Sequence, residues 1–327
     1  MPAAKAPARK RATVKPEDFI AVFDDLGSRV IEREQHIKVM GLTLLSGGNV
    51  LQQGEAGTAK SMLARLFSQS ITDSVFFDFL AFPDLTADKV LGHTDMDALL
   101  TERKWRIDIE GYAPAAHIVH WDETFRGSGA LNDAMLGLAN PKERAVKVNG
   151  KLVRCPTLLL VGSTNFTPPA DDVRSGAISD RFVTRLHVQE IRADANFLEM
   201  IERDRTADQE VLDGKAAKHV TVTLDQVLDA QRQVREVTYG PDFKAAFARL
   251  RRDTKKQALG VSDRRWAMIA KFCRAAAWLA GRDHTIPEDL ANAEHAMWSE
   301  IDEIPRAHEL VLDYHGQFER KAVELRR

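Results

Sequence analysis

Gly54-Glu55-Ala56-Gly57-Thr58-Ala59-Lys60-Ser61 fits most of the pattern G-x-x-x-x-G-K-[ST]. Successive backbone N–H groups of such a loop turn inward and make an anion site that opens onto a helix N-terminus. Lys60 would reach the outer phosphates of a nucleotide, and the Ser61 hydroxyl would ligate Mg²⁺. Ala59 stands where the pattern has its last glycine, and Gly57 sits mid-loop. A phosphate loop alone only binds; hydrolysis also needs a metal carboxylate and a means of activating water. Asp122-Glu123 supplies both from the end of an apolar strand. Asp122 would hold Mg²⁺ through its water shell, and Glu123 would polarise the attacking water.

Further candidates are less decided by residue type. Asn165 follows a buried strand and either orients the water or caps a turn before Pro168-Pro169. Arg181 and Arg185 end the first half of the chain, and Arg264 and Arg265 open a helix in the second. Each fits transition-state charge neutralisation or a salt bridge, and the residues alone leave both open. His117 and His120 lie three apart on a strand and point to opposite faces, so they cannot chelate one ion. The five Trp residues are scattered and suit core or interface positions.

These side chains need a scaffold, and the chain is long enough for two domains of ordinary size at 327 residues. Lys+Arg 46 against Asp+Glu 48 gives a formal charge of -2, which argues against nucleic-acid binding. Two cysteines cannot form a disulfide framework, so a reducing, cytoplasmic setting is expected. No apolar run is long enough for a membrane span, so no membrane insertion is expected. Residues 1–16 read as a basic, disordered tail, lacking the apolar segment of a secretory signal.

Asn49–Gln53 reads as a short buried strand before the loop, and residues from Ser61 onward have helical apolar spacing. Further strands are expected at Val75–Phe79, Ala116–Trp121, Thr157–Gly162 and Arg185–Val188, with a helix at Ala130–Leu138 and another closing over Ile178–Phe182. Asn149-Gly150 between two short alternating runs predicts a hairpin. Helical patterns then follow at 193–205, 223–237, 241–256, 263–280 and 287–300, with Pro241 and Pro287 at helix starts. The fold class is α/β, a parallel-sheet core over 17–192 followed by an all-helical domain over 193–300 and a helical segment at 301–327.

With those motifs in order, the chain resembles the MoxR family of AAA+ ATPases, and within it the RavA-like branch. The resemblance rests on "VIERE" at Val30–Glu34, "GEAGTAKS" at Gly54–Ser61, "FPDLTADKVLGH" at Phe82–His93 and "WDE" at Trp121–Glu123. It continues through "ALNDAMLGLANPKER" at Ala130–Arg144, "GSTN" at Gly162–Asn165, "SDRFVTRLHV" at Ser179–Val188 and "SDRRW" at Ser262–Trp266. By resemblance, Gly54, Glu55, Ala56, Gly57, Thr58, Ala59, Lys60, Ser61 and Met62 form the Walker A loop, and Ile31 lines the adenine pocket. Asp122 and Glu123 match Walker B, and Asn165 matches sensor 1. Arg181 matches the arginine finger that acts on the next subunit's nucleotide, with Arg185 a second candidate. Arg264 matches sensor 2. Residues 92–114 correspond to the helix 2 insert and 144–155 to the pre-sensor hairpin. Glu55-Ala56 stands where the family has Pro-Pro, and His120-Trp121 replaces two apolar residues.

The resemblance implies a P-loop AAA+ core with a helical lid, using ATP/ADP and Mg²⁺. It also implies a homo-oligomeric ring, expected to be a hexamer, that remodels a protein client with a von Willebrand factor A domain partner. A nucleotide-gated scaffold with incidental hydrolysis and a nucleic-acid motor are the competing readings.

Overall fold

The computed structural model describes residues 14–103, 106–148, 150–166, 172–212 and 219–314. The basic tail up to residue 13, Trp105, Asn149, Pro168-Pro169 and the C-terminal segment from residue 315 lie outside them.

Five parallel strands form the central sheet: β1 (Asn49–Gln53), β2 (Phe76–Leu80), β3 (Ile118–Asp122), β4 (Leu159–Thr164) and β5 (Thr184–His187). Their order is β5-β1-β4-β3-β2. β1 is therefore flanked on both sides, and all five of its residues are buried, as expected for a parallel strand covered on both faces. The register pairs Gln53 with Thr164 and Leu80 with Asp122, so the strands end nearly level. Loops leaving those carboxyl ends share one rim, the edge at which open α/β sheets bind ligands.

Helices α1 (Pro16–Arg29), α2 (Glu34–Ser46) and α3 (Lys60–Gln69) pack Phe19, Phe23, Ile37, Met40 and Phe67 into one apolar cluster with β1. A second cluster joins Leu51, Phe79, Trp121 and Leu160 to Leu131 and Met135 of α4 (Gly129–Leu138). Trp121 is fully buried in this cluster and stacks on Phe79, with ring centroids 5.9 Å apart. Burying a large side chain of this kind contributes roughly 1.5–3 kcal/mol.

The helix expected to close over Ile178–Phe182 is α5 (Val173–Ser179), which leaves Phe182 outside. The insert region carries a two-stranded antiparallel pair, His93–Thr94 with Ile107–Asp108, around a short helix Met96–Thr101. The hairpin strands are Ala145–Val148 and Lys151–Arg154.

Beyond β5 come α6 (Asp194–Leu212), α7 (Leu224–Glu236), α8 (Pro241–Lys256) and α9 (Asp263–Leu279). Thr223 starts α7 through a capping box: Gln226 N donates to Thr223 Oγ1, and Thr223 N donates to Gln226 Oε1. The segment expected as a helix at 287–300 is a 3₁₀ helix, Pro287–Ala296. α10 (Ile304–Val311) follows. α9 ties the halves together, since Phe272 and Trp278 enter the core cluster while Trp266 and Ile269 enter the lid cluster. Among the described residues no helix is long and apolar enough to cross a membrane, and both cysteines are buried free thiols.

Candidate nucleotide site

The phosphate loop leaves β1 and closes against two neighbouring strands. Gly54 N donates to Thr164 O at 3.2 Å, and Val188 N donates to Gln53 O at 2.7 Å. A Cβ on Gly54 would lie 2.0 Å from Val188 O, so no other residue fits there without moving the backbone at Val188, just after β5. Gly57 takes φ +83° and Ala59 φ 68°, turning the loop into α3. The last glycine of the motif is thus a left-handed position that alanine occupies at a modest cost. Lys60 begins α3 and donates from Nζ to Gly54 O at 2.8 Å and Glu55 O at 2.7 Å, across the mouth of the loop. Burial lowers its pKa, against the pull of Asp122 and Glu123. The Glu55 side chain is exposed, so its charge faces solvent while its carbonyl faces Lys60. Ala56 is likewise exposed, Thr58 is buried, and Met62 is exposed on the first turn of α3.

Ser61 Oγ donates to Asp122 Oδ2 at 2.9 Å. Two hard oxygen ligands from α3 and β3 therefore converge, which fits Mg²⁺ held by one or two protein oxygens with the rest from phosphate and water. Among the described residues no group of three or more His, Cys, Asp or Glu forms a separate metal cage.

Glu123 has φ 51°, a conformation costing about 1–3 kcal/mol for a non-glycine residue unless its surroundings enforce it. They do. Glu123 N donates to Asp122 Oδ1 at 3.0 Å, Thr124 N donates to Ser163 O at 2.9 Å, and Arg126 N donates to Glu123 O at 2.8 Å. The Glu123 Oε2 atom is buried and has no hydrogen-bond donor among the described residues. Arg126 Nε lies 3.4 Å from it, in ion-pair range but poorly aligned for a hydrogen bond. A carboxylate oxygen with an unused lone pair beside a phosphate loop is what a base that orients water requires. Asn165 follows the last residue of β4 and is exposed at the same rim.

Beside Val188 lies a cavity of about 790 Å³ lined by Ile31, Arg33, His36, His187, Gln189 and Asn196, among others. Its back wall is built by Glu32, whose carboxylate accepts from Arg192 N, Ala193 N and Asn196 Nδ2 and so caps the start of α6. Burial drives the His36 pKa down to about 4.

Arg181 sits elsewhere. Its carbonyl accepts from Asn49 Nδ2 at 2.9 Å, next to the first residue of β1, whereas Lys60 lies beyond the last. The five residues of β1 span roughly 13 Å between the end beside the Arg181 backbone carbonyl and the end from which the phosphate loop leaves. Arg264 belongs to the same end, because it pairs with Asp180 Oδ2 while Ser262 Oγ donates to Asp180 Oδ1 at 2.7 Å. Arg185, expected as a second finger, is only 2% exposed, and its Nη2 donates to Ser179 O and Oγ. It is corrected to an internal brace, since a wholly enclosed guanidinium cannot reach a neighbouring molecule. Arg265 is also buried and donates to Ala296 O and Trp298 O within the lid.

A sheet ordered 5-1-4-3-2 with a phosphate loop after β1, an Asp-Glu pair after β3 and a helical lid defines an AAA+ nucleotide-binding core. Residues 17–229 match the model described as "MoxR domain in the MoxR-vWA-beta-propeller ternary systems", and 243–311 match the AAA lid domain. The chain belongs to the MoxR family of AAA+ ATPases. It is 24% identical over 303 residues to the uncharacterized protein MJ0079 of Methanocaldococcus jannaschii, covering 93% of this chain and 76% of that one. It is 25% identical over 298 residues to the chaperone MoxR1 of Mycobacterium tuberculosis, covering 87% and 73%. The crystal structure of a candidate ATPase from Cytophaga hutchinsonii superposes with TM-score 0.70 at 17% identity, covering 92% and 95%.

Proposed function

We propose that this chain is an Mg²⁺-dependent ATP hydrolase that works as a homo-oligomeric ring, a hexamer by family resemblance, and remodels a protein client. The observation carrying the oligomer is the separation of Arg181 and Arg264 from the phosphate loop by the length of β1. An arginine whose backbone is anchored at that end is set to neutralise phosphate charge in a neighbour rather than at its own Lys60.

In this reading Lys60 and the loop amides hold the β- and γ-phosphates, and the cavity at Ile31 takes the adenine. Ser61 and Asp122 would hold Mg²⁺, which when bound supplies charge neutralisation between the outer phosphates. Glu123 accepts a proton or hydrogen bond from the attacking water, and Asn165 orients that water. Arg181 completes the neighbouring site, and Arg264, which pairs with the adjacent Asp180, joins it in trans. The matched model's description names a von Willebrand factor A component, and a protein of that kind is the partner proposed here. The RavA-like branch remains the assignment within the family, and a cytoplasmic location the setting.

Glu123→Gln tests the reading. Nucleotide affinity should stay within about twofold while turnover falls by about 10²–10⁴-fold. Near-normal hydrolysis would remove Glu123 from the role of base.

A further inference from the structure

A chain of polar side chains crosses the sheet beneath the nucleotide site. His120 is 0% exposed and hydrogen-bonds through Nδ1 to Asp78 Oδ1 at 3.0 Å and through Nε2 to Ser163 Oγ at 2.9 Å. Ser163 Oγ donates to Gln52 Oε1 at 3.2 Å. At the other end Arg65 donates to Asp78 Oδ2 from Nε at 3.0 Å and Nη2 at 2.6 Å. β1, β4, β3 and β2 are thus linked in one line to α3.

We propose that His120 is a positioning residue for hydrolysis, holding β3 and β4 in the alignment that presents Glu123 and Asn165. The proposal rests on the ATPase reading above. An imidazole buried between apolar strands is costly unless both nitrogens are satisfied, and here both are. An apolar side chain would fill the same space without that requirement, so stability alone does not call for histidine. The link to the site runs through Ser163. Its hydroxyl meets His120, while its carbonyl accepts from Thr124 N at 2.9 Å and Thr124 Oγ1 at 3.2 Å. Thr124 follows Glu123, so the group that keeps Glu123 at positive φ is itself fixed by His120.

α3 is seated on the sheet by the same system. Ser61 and Arg65 are four apart, on one face of the helix, and meet Asp122 and Asp78 respectively. When Ser61 turns its hydroxyl to a metal, the Arg65–Asp78–His120 link still holds α3 and the phosphate loop in place.

Ser163→Ala removes one hydroxyl with little change in packing, and His120→Phe replaces the imidazole by a ring of similar size. Ser163→Ala should lower kcat about threefold or more and His120→Phe about tenfold or more, with dissociation constants for a fluorescent ADP within about twofold of wild type. The double variant should be no slower than His120→Phe, because the two residues act as a unit. Amide exchange at Thr124 should quicken at least about tenfold in His120→Phe, and this readout holds even if wild type proves inactive, a result that would overturn the ATPase reading instead. Unchanged kcat and unchanged Thr124 protection in folded variants, or additive losses matched by equal losses of nucleotide affinity, would overturn the proposal.

Discussion

Asn49 and Arg181 are joined by a 2.9 Å hydrogen bond from the Asn49 side-chain amide to the Arg181 carbonyl. Asn49 is the first residue of β1, and the phosphate loop leaves its last. That bond ties the arginine to the end of the sheet opposite Lys60. A fully buried strand stands between Lys60 and the backbone of Arg181, and the proposed sharing of each site between two subunits rests on that separation.

Ala59 holds the left-handed conformation at the start of α3, φ 68° and ψ 24°. Ala59→Gly removes the Cβ that disfavours this backbone conformation and should raise unfolding free energy by about 0.5–1 kcal/mol. Ala59→Val should destabilise by more than that and weaken nucleotide binding. Urea unfolding of the variants measures both, and a loss of stability in Ala59→Gly would contradict the assignment of strain.

Asp180 latches the lid to the core by accepting from Ser262 and pairing with Arg264, which is 50% exposed. Because the ion pair is half in water, Asp180→Ala should cost only about 1 kcal/mol, and the difference from wild type should shrink in high salt. Asp180→Asn keeps an acceptor for Ser262 and should cost less. Thermal unfolding at two salt concentrations decides it; equal melting temperatures for wild type and Asp180→Ala would mean that the latch contributes nothing.

Burial holds His36 neutral, with a pKa of about 4 against an ordinary 6.5; the hydrogen bond to the His187 carbonyl pulls the other way, while the charges of Arg33, His295 and His187 push it further down. The folded-state pKa lies below the unfolded one, so the unfolded chain binds the extra proton between those values. Stability from this group is therefore complete above pH 6.5 and is lost as pH falls toward 4. The full loss is up to about 3 kcal/mol. Denaturant unfolding at about pH 7.5 and about pH 5 should show the fall, and His36→Gln should flatten it.

Much of this fold is legible in the sequence because its signals are local. The buried run Leu159–Val161, the paired short strands Ala145–Val148 and Lys151–Arg154 and Pro241 at a helix start each carry their own geometry. The phosphate loop and Asp122-Glu123 are legible for the same reason, as short motifs at strand ends. What the sequence conceals is pairing across distance. Nothing near Arg185 shows that β5 runs beneath the lid and encloses it. Nothing near His120 indicates Asp78 and Ser163, each some forty residues away, although an ionisable residue inside an apolar strand is a signal that a buried partner exists. Glu32 reads as one charge in a polar stretch, yet it caps a helix that starts at Asp194. The 3₁₀ helix at Pro287–Ala296 shares its proline start with an α-helix, so the local signal does not separate the two.

The division of each site between two subunits is tested most directly by mixing two inactive variants. Glu123→Gln lacks the base but keeps Arg181; Arg181→Ala lacks the arginine but keeps Glu123. In a mixed assembly, an Arg181→Ala subunit placed beside a Glu123→Gln neighbour has an intact base and receives an intact arginine. ATP turnover should therefore appear on mixing, peak near equal proportions and reach a substantial fraction of wild type. A mixture as inactive as its components, or an Arg181→Ala protein fully active by itself, would contradict the account.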